Sequence, residues 1–232
     1  MAVNSQMIDI AGADGAFQGY FAVSDRSRAG VVLIQEIFGV NSHIRDVSDR
    51  LAAAGYAVLA PDLFWRVQPD VQLGYTPDDI AKGRTFKDQV AVDDAMEDLR
   101  ASFATLRARP ECQGHKTGVV GFCWGGLLTY LAAARLDPAC ASSYYGGGIA
   151  NFLGEADKIG CPIQFHFGDQ DQAIPMDQVE NIRAAVQGKS AEVFIYHGAG
   201  HGFHCDQRGS YNVDSAKLAW ERTLGLFDRF LG

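Results

Sequence analysis

The sequence predicts an α/β fold, with helices on both faces of a doubly wound and mainly parallel sheet. Short apolar runs rich in β-branched residues alternate with longer amphipathic segments along the 232 residues, which is the pattern of successive strand–helix–strand units. Right-handed crossovers between successive strands then restrict the topology to a doubly wound sheet. No long linker, internal repeat or charge block divides the chain, so we expect a single domain over residues 1–232.

The first half of the chain is predicted to hold a hairpin, two buried strands and two helices. The opening run MIDIAGADGAFQGYFAV alternates around a glycine-containing turn and predicts an antiparallel hairpin at the sheet edge. GVVLIQEIFG and YAVLAPDLF are predicted as buried strands. Between them we expect a helix capped by Asn41 or Ser42 and ended by Gly55. One long helix is expected from about Asp78 to Arg107.

The second half of the chain continues the alternation. KTGVVGFCWGG predicts a strand, a sharp turn and the start of a helix that runs on through LLTYLAAARL. Three further strands are predicted in CASSYYGGG, PIQFHFGDQD and AEVFIYHGAG, and helices begin near Pro175 and Tyr211 after the last two. In open sheets of this kind ligands bind beyond the carboxyl ends of the strands, so functional residues are expected there.

Composition excludes several classes of function. The formal net charge is −8, with acidic and basic residues mixed along the chain, so nucleic acid is not an expected partner. The N-terminus lacks the pattern of a secretory signal, and the apolar runs are too short to cross a bilayer. We therefore expect a soluble, cytoplasmic protein, either a monomer or a small homo-oligomer. The five scattered cysteines form no CxxC pair, which favours free thiols without a metal site or cofactor.

One cysteine lies in a motif with chemical meaning. Gly121-Phe122-Cys123-Trp124-Gly125 has the spacing of a nucleophile elbow, between an apolar strand and a helix. The elbow holds its nucleophile at positive φ and brings strand and helix backbones so close that only glycine fits at the flanking positions. The helix N-terminus favours a thiolate at Cys123. The alternative is that Cys123 is an ordinary buried cysteine among glycines that serve only packing.

The order of the acidic and histidine residues supports a catalytic triad. On such a fold the nucleophile is followed first by the acid and then by the histidine. Asp171 follows the next-to-last predicted strand and His201 follows the last one, as that order requires. Gly200 and Gly202 would let the loop turn the imidazole of His201 towards the sulfur of Cys123. The sequence therefore predicts a triad of Cys123, His201 and Asp171.

Other residues compete for the same roles. Asp169 precedes Asp171 and is interpreted as a brace for the loop. His197 is expected on the last strand in a structural role, and His204 could line the pocket. His43 could border the site but fits the first turn of a helix. His115 and His166 are interpreted as a surface and a core residue.

The segment QEIFG places a carboxylate, Glu36, at the end of a very apolar run. Burying a carboxylate without a partner is unfavourable, so Glu36 is expected either to pair with an arginine or to face the sulfur of Cys123 and accept its proton. The oxyanion hole of this fold takes one backbone N–H from the residue after the nucleophile and one from this loop. Trp124 and Ile37 are the residues at those positions.

Together these segments resemble the dienelactone hydrolase (carboxymethylenebutenolidase) family of the α/β-hydrolase fold. QEIFG, YAVLAPDLF, GFCWGG, GDQDQAIP and GAGHGF carry the resemblance, with AWERTLGLF near the C-terminus, and the match extends from about Gly30 to the end of the chain. It implies an eight-stranded, mostly parallel sheet. It also implies a triad of Cys123, Asp171 and His201, with Glu36 as the carboxylate that activates the thiol.

The resemblance further implies two arginines that hold the carboxylate of the substrate. One matches Arg208 in the segment HCDQRGSY, whose spacing differs from the family pattern. The other is expected after the PDLFWR strand, where Arg84 is the candidate and Arg66 the alternative. Family members open the enol-lactone ring of dienelactone to give maleylacetate, in the catabolism of chlorinated aromatic compounds. We therefore expect a lactone or ester hydrolase. The alternatives are a general small-ester or thioester hydrolase, or a non-catalytic binding or redox protein on the same scaffold.

Overall fold

The computed structural model describes residues 2–112 and 114–232 and contains the elements that an α/β fold requires. The strands are β1 (Val3–Gly12), β2 (Gly15–Ser24), β3 (Gly30–Ile34), β4 (Ala57–Pro61), β5 (Thr117–Phe122), β6 (Ala141–Tyr144), β7 (Ile163–Gly168) and β8 (Ala191–Tyr196). The helices are α1 (Ser42–Ala53), α2 (Pro77–Gln89), α3 (Val92–Ala108), α4 (Trp124–Arg135), α5 (Met176–Ala185) and α6 (Val213–Leu231). Two 3₁₀ segments, Pro110–Cys112 and Ile149–Lys158, complete the set.

The eight strands belong to one sheet, and the predicted fold class is confirmed. In the first part of the chain the strand order is β1-β2-β4-β3, and later β5, β6, β7 and β8 follow in sequence order. β1 pairs antiparallel with β2, and β2 pairs antiparallel with β4. The recorded pairings from β3 onwards are parallel. The N-terminal hairpin at the sheet edge is therefore confirmed.

The chain divides into two compact units. The first comprises the chain up to Gly118 together with Leu231–Gly232, and the second comprises Val119–Phe230. That the whole chain acts as a single domain stays a prediction. Within residues 2–112 and 114–232, every helix is too short or too polar to span a membrane.

In the first unit, helix α1 connects the buried strands β3 and β4 and has a side-chain cap at its N-terminus. All residues of β3 and β4 are buried, as their continuous apolar sequences predict. Of the two predicted caps for α1, the structure uses Asn41, whose side chain accepts a hydrogen bond from the Ile44 N–H at 3.3 Å. Gly55, just beyond the helix, has a φ of +104°. This positive φ explains why the helix ends there.

The prediction of one long helix from Asp78 to Arg107 is wrong, because the segment forms two helices, α2 and α3. Val90 and Ala91 between them are extended, with φ/ψ of −99/114° and −65/142°. The buried positions explain the break. Phe86 is buried in α2, whereas Met96 and Leu99 are buried in α3, and a period of 3.6 residues would not bring all three to one face of a straight helix. Two separate helices allow each buried face to meet the core.

In the second unit, α6 is held to the sheet by buried hydroxyl groups. Thr223 Oγ1 lies 2.8 Å from Ser142 Oγ and 2.6 Å from the Tyr144 hydroxyl, both on β6. His166 on β7 extends the network, with Nε2 3.2 Å from Ser142 Oγ and Nδ1 2.8 Å from the Tyr196 hydroxyl on β8. Because these buried polar groups have partners, the network fixes the helix and the strands in one arrangement. His166 is fully buried, and its predicted core position is confirmed.

Candidate active site

Cys123 lies at the sharp turn between β5 and α4. It is the N-cap residue of α4, with φ +57° and ψ −116°. A Cβ added at Gly121 would overlap the Gly125 carbonyl, and one added at Gly126 would lie 2.5 Å from the Tyr144 carbonyl oxygen. Real Cβ atoms do not approach backbone atoms so closely, so both positions require glycine. The predicted positive φ at the cysteine and the close backbone contact at Gly121 are confirmed.

The structure brings Cys123, His201 and Asp171 together. His201 Nε2 lies 3.1 Å from Cys123 Sγ, and His201 Nδ1 lies 2.8 Å from Asp171 Oδ2. The side chain of Asp171 is fully buried. Its other oxygen accepts hydrogen bonds from the N–H groups of Ala173 at 2.8 Å and Ile174 at 3.2 Å. The carboxylate is thus held from both sides, and it in turn orients the imidazole towards the sulfur.

Electrostatics in this cluster favour a charged imidazole. Burial opposes the charge, but the sulfur of Cys123 and the carboxylate of Asp171 outweigh it and raise the pKa of His201 well above that of a free imidazole. The positive end of α4 lies at Cys123 and stabilises negative charge on the sulfur. A charged imidazole at this place can donate a proton from Nε2 to a group bound at the sulfur.

The competing residues take other positions. The prediction that His197 lies on the last strand is wrong: β8 ends at Tyr196, and the His197 side chain is 93% exposed. Its Nδ1 lies 2.9 Å from Asp169 Oδ2, and Asp169 Oδ1 accepts from the Gly198 N–H at 2.8 Å. Asp169 therefore braces the loop, as predicted. His204 is buried, with its ring stacked on Phe122 at 5.0 Å between centroids.

Two further predicted residues adjoin the triad in the chain. Trp124 directly follows Cys123 and is the first residue of α4, where backbone N–H groups point away from the helix. Arg208 packs against the loop of His201: a Cβ added at Gly202 would overlap its guanidinium group. Gly202 has a φ of +78°, so the predicted bend of this loop is present. Arg208 is partly exposed and lies within reach of solvent beside the histidine loop.

The remaining predicted site residues belong to the first unit. Glu36 and Ile37 follow β3, with exposed fractions of 0% and 8%. Helix α2 packs closely on their loop, because a Cβ at Gly83 would overlap the Ile37 carbonyl oxygen. Arg84, the next residue of α2, is exposed. Glu36 therefore lies in a loop that packs against α2. Arg84, exposed on α2, remains the candidate for binding a carboxylate.

Arg66, the alternative to Arg84, has other partners. Its guanidinium forms ion pairs with the buried Asp98 and, at 2.8 Å, with Asp14. Asp98 also accepts a hydrogen bond from the Trp65 indole at 2.9 Å. These contacts commit Arg66 to a structural role in the first unit.

Sequence reasoning missed Tyr145, which follows β6. Its φ is +35° although it is not glycine. Its buried ring contacts the His201 imidazole edge-to-face at 5.2 Å between centroids. The Tyr145 N–H donates to the His166 carbonyl at 2.8 Å, which holds the backbone in this conformation. The run Tyr-Gly-Gly-Gly after a strand was the available signal, but it does not indicate which neighbour the tyrosine contacts.

The chain is similar to known proteins over most of its length. The sequence model of the dienelactone hydrolase family matches residues 17–231. The chain belongs to the dienelactone hydrolase family. It is 40% identical over 207 residues to a "putative carboxymethylenebutenolidase" of Synechocystis sp., covering 85% of this chain and 84% of the relative. It is 32% identical over 219 residues to a carboxymethylenebutenolidase of Pseudomonas sp. strain P51, covering 93% and 91%.

A solved structure of the dienelactone hydrolase family confirms the fold. The crystal structure of a "putative dienelactone hydrolase" from Klebsiella pneumoniae has a TM-score of 0.89 and 30% sequence identity, covering 99% of this chain and 100% of that one. The family resemblance predicted from sequence is confirmed. As a member of the dienelactone hydrolase family, the protein is a hydrolase of esters or lactones.

Proposed function

We propose that the protein opens a small enol-lactone or ester with Cys123 as nucleophile, and that dienelactone, hydrolysed to maleylacetate, is its preferred substrate. The observation that carries the proposal is the 3.1 Å distance between Cys123 Sγ and His201 Nε2, with Asp171 behind the imidazole. A side chain that touches the sulfur, and is itself oriented by a buried carboxylate, is the arrangement of a nucleophile and its acid–base partner.

The reaction proceeds through a thioester. The Cys123 thiolate attacks the carbonyl carbon, and the oxyanion accepts hydrogen bonds from the backbone N–H groups assigned to Trp124 and Ile37. The tetrahedral intermediate collapses, the enolate leaves, and the imidazolium of His201 supplies a proton to it. His201 then takes a proton from a water molecule that attacks the thioester, which releases the acid and lets the sulfur leave as the thiolate. An enolate is a good leaving group, so a sulfur nucleophile suffices.

The chemistry of the arginines favours an anionic substrate. Arg208 packs against the loop that carries His201, and an arginine fork binds a carboxylate through charge-assisted hydrogen bonds. Arg84, exposed on α2, is the proposed second carboxylate ligand. A different acidic residue of the protein, Glu36, is proposed to take the proton of the Cys123 thiol before the attack. The relative from Pseudomonas carries the name carboxymethylenebutenolidase, which supports a lactone that bears a carboxylate.

Hydrolysis of a substrate panel tests the proposal. Purified protein is assayed with dienelactone, a neutral lactone and a neutral chromogenic ester. The proposal expects the highest kcat/KM for dienelactone and no turnover in Cys123→Ala. Cys161→Ala, a matched change at a buried cysteine, should retain activity. Turnover by Cys123→Ala would refute the nucleophile, and preference for the neutral substrates would refute the dienelactone assignment. No turnover of any substrate by wild type would favour a binding or redox role.

A further inference from the structure

The outer edge of β8 presents backbone groups that no strand of the described chain pairs with. β8 is the last strand of the sheet and pairs with β7. The Ser190 carbonyl accepts from Ile163 N–H at 2.9 Å, and the Tyr196 carbonyl accepts from Asp169 N–H at 3.1 Å. Because alternate residues of a strand point the same way, the even-numbered residues face β7. Val193 and Ile195 therefore direct both N–H and C=O outwards.

Ala191 also directs its backbone groups away from β7, but only its carbonyl is available to a second strand. Its N–H already donates to the Lys189 carbonyl at 2.8 Å. If β8 met an identical strand antiparallel, with a two-fold axis at Val193, the two copies of Val193 would exchange two hydrogen bonds. Each Ile195 N–H would then reach the Ala191 carbonyl of the other copy. The pattern of available donors and acceptors is thus complementary to itself.

The outward residues of β8 have apolar side chains, and two of them, Ala191 and Val193, line a groove. Val193 and Ile195 are partly exposed although both are β-branched apolar residues. A groove with a cavity volume of about 520 Å³ runs between β8 and the end of α5, and its lining combines apolar residues such as Val186 and Val193 with polar ones such as Arg183 and Lys189. An open strand edge with unpaired backbone groups pairs readily with another strand. In the two-fold arrangement the apolar side chains of both copies meet along this groove.

On the opposite face of the sheet, α6 borders β8. The guanidinium of Arg222 lies 4.0 Å from the centre of the Phe194 ring and donates to the Tyr196 hydroxyl at 3.1 Å. Leu218, one turn earlier, is 42% exposed. A Cβ added at Gly225, one turn later, would meet no atom within 4 Å. This strip of α6 therefore offers an exposed apolar side chain and an open backbone, which suit the close approach of a second helix.

When two copies of β8 pair around Val193, opposite charges of the two copies also come together. Glu192 is exposed and lies one residue from the axis, so it would face Phe194 of the other copy. The ring of Phe194 is covered by Arg222, and the Glu192 carboxylate would approach that guanidinium. Symmetry generates two such pairs. Opposite charges that meet across an interface fix its register and suppress others.

We propose that the protein forms a two-fold symmetric dimer in which β8 pairs antiparallel with β8 of a second copy, centred on Val193. The strip of α6 defined by Leu218, Arg222 and Gly225 flanks the paired strands on one face, and the groove beside α5 flanks them on the other. The interface is isologous: the same surface of each copy supplies both halves, so the assembly closes at two chains.

Sedimentation velocity of the full chain tests this interface. Wild type, at about 1 to 100 µM, should sediment with twice the 25.1 kDa chain mass. Val193→Pro removes the central outward donor but none that β7 uses, and an edge strand accepts proline. It should weaken the dimer by about 100-fold or more, with esterase activity within about twofold of wild type.

A second variant keeps the test decisive if Val193→Pro folds poorly. Glu192→Lys places a positive charge opposite Arg222 and should weaken the dimer by about tenfold or more. Gln6→Lys, the matched change on the exposed edge strand β1, should leave the dimer unchanged. A wild type that is monomeric at every concentration would overturn the proposal. So would a dimer that persists in folded Val193→Pro and in Glu192→Lys.

Discussion

His201 Nε2 approaches Cys123 Sγ to 3.1 Å, so this imidazole contacts one of the five thiols of the chain. The other four cysteines are buried, whereas Cys123 is partly exposed. Thiol reactivity depends on both access and the thiolate fraction. The contact with His201 and the exposure therefore single out the same sulfur.

Alkylation should modify Cys123 first and abolish turnover in step. Burial raises the pKa of Cys112 to about 11 and that of Cys161 to about 12, so these two thiols should label slowly at neutral pH. Mass spectrometry of peptides after iodoacetamide treatment measures the order of labelling. Loss of activity that follows labelling at Cys112 or Cys161 instead would contradict the assignment.

Glu36→Gln should lower kcat by about 100-fold or more, because the amide cannot accept the thiol proton. Glu36 is fully buried, and glutamine has nearly its shape, so the fold should persist. Circular dichroism checks the fold, and the pH dependence of alkylation at Cys123 reports on its ionisation. Full activity with an unchanged alkylation profile would show that His201 alone activates the sulfur.

Arg208→Ala should discriminate between substrates by charge. Loss of a charge-assisted hydrogen bond should reduce kcat/KM for an anionic lactone about 10- to 100-fold relative to a neutral ester. Arg100→Ala, at an exposed arginine on α3, is the matched control and should alter neither. Equal losses on both substrates would mean that Arg208 only supports the His201 loop, and the case for dienelactone would weaken.

His166 should make the protein less stable in acid. Burial, with a further contribution from Arg222, lowers the pKa of His166 from 6.5 to about 3. Between these two values the unfolded chain binds a proton that the folded protein does not, so the free energy of unfolding falls as the pH falls. This group contributes a slope of up to about 1.4 kcal/mol per pH unit.

Urea unfolding of His166→Gln at several pH values between about 4 and 7 measures that contribution. The variant should show a shallower slope than wild type, whatever its stability at neutral pH. His115→Gln, at an exposed histidine, should keep the slope of wild type. An identical slope in His166→Gln would mean that other groups govern the loss of stability in acid.

Gly126→Ala should destabilise the elbow. Its Cβ would lie 2.5 Å from a backbone oxygen, so α4 must shift, at a cost of about 1–3 kcal/mol in the free energy of unfolding. Activity should fall as well, because α4 begins next to Cys123. Gly154→Ala is the control: it is exposed and meets no atom within 4 Å, so it should be neutral or stabilising by about 1 kcal/mol at most. Similar melting temperatures for both variants would contradict the close contact.

The strands and the meeting of Cys123, His201 and Asp171 were predictable because most of their signals are local. Continuous apolar runs identified β3, β4 and β7, and a five-residue motif identified the turn at Cys123. The order of Asp171 and His201 relative to the strands then selected two residues distant in the chain. These predictions needed only strand ends and the rule that functional residues follow them.

The features missed from sequence depend on tertiary packing. The break between α2 and α3 arises because Phe86 and Met96 must face the core on different helices. No capping side chain marks the start of α3, so the sequence carried no stop signal there. The contact of Tyr145 with His201 joins residues far apart in the chain, and neither local propensity nor periodicity reports such a meeting.

The backbone conformation at Cys123 lowers the stability of the fold, whereas the proposed reaction requires a side chain at this position. Glycine adopts a φ of +57° with a ψ of −116° freely, whereas a residue with a Cβ adopts it under strain of about 1–3 kcal/mol. A lineage selected only for survival at high temperature would therefore gain by replacing this cysteine with glycine. If Cys123 is the nucleophile, as proposed, such a descendant would be more stable to heat but would no longer hydrolyse the substrate. On the proposed mechanism, a side chain that strains the backbone at this turn is retained because the reaction needs its sulfur.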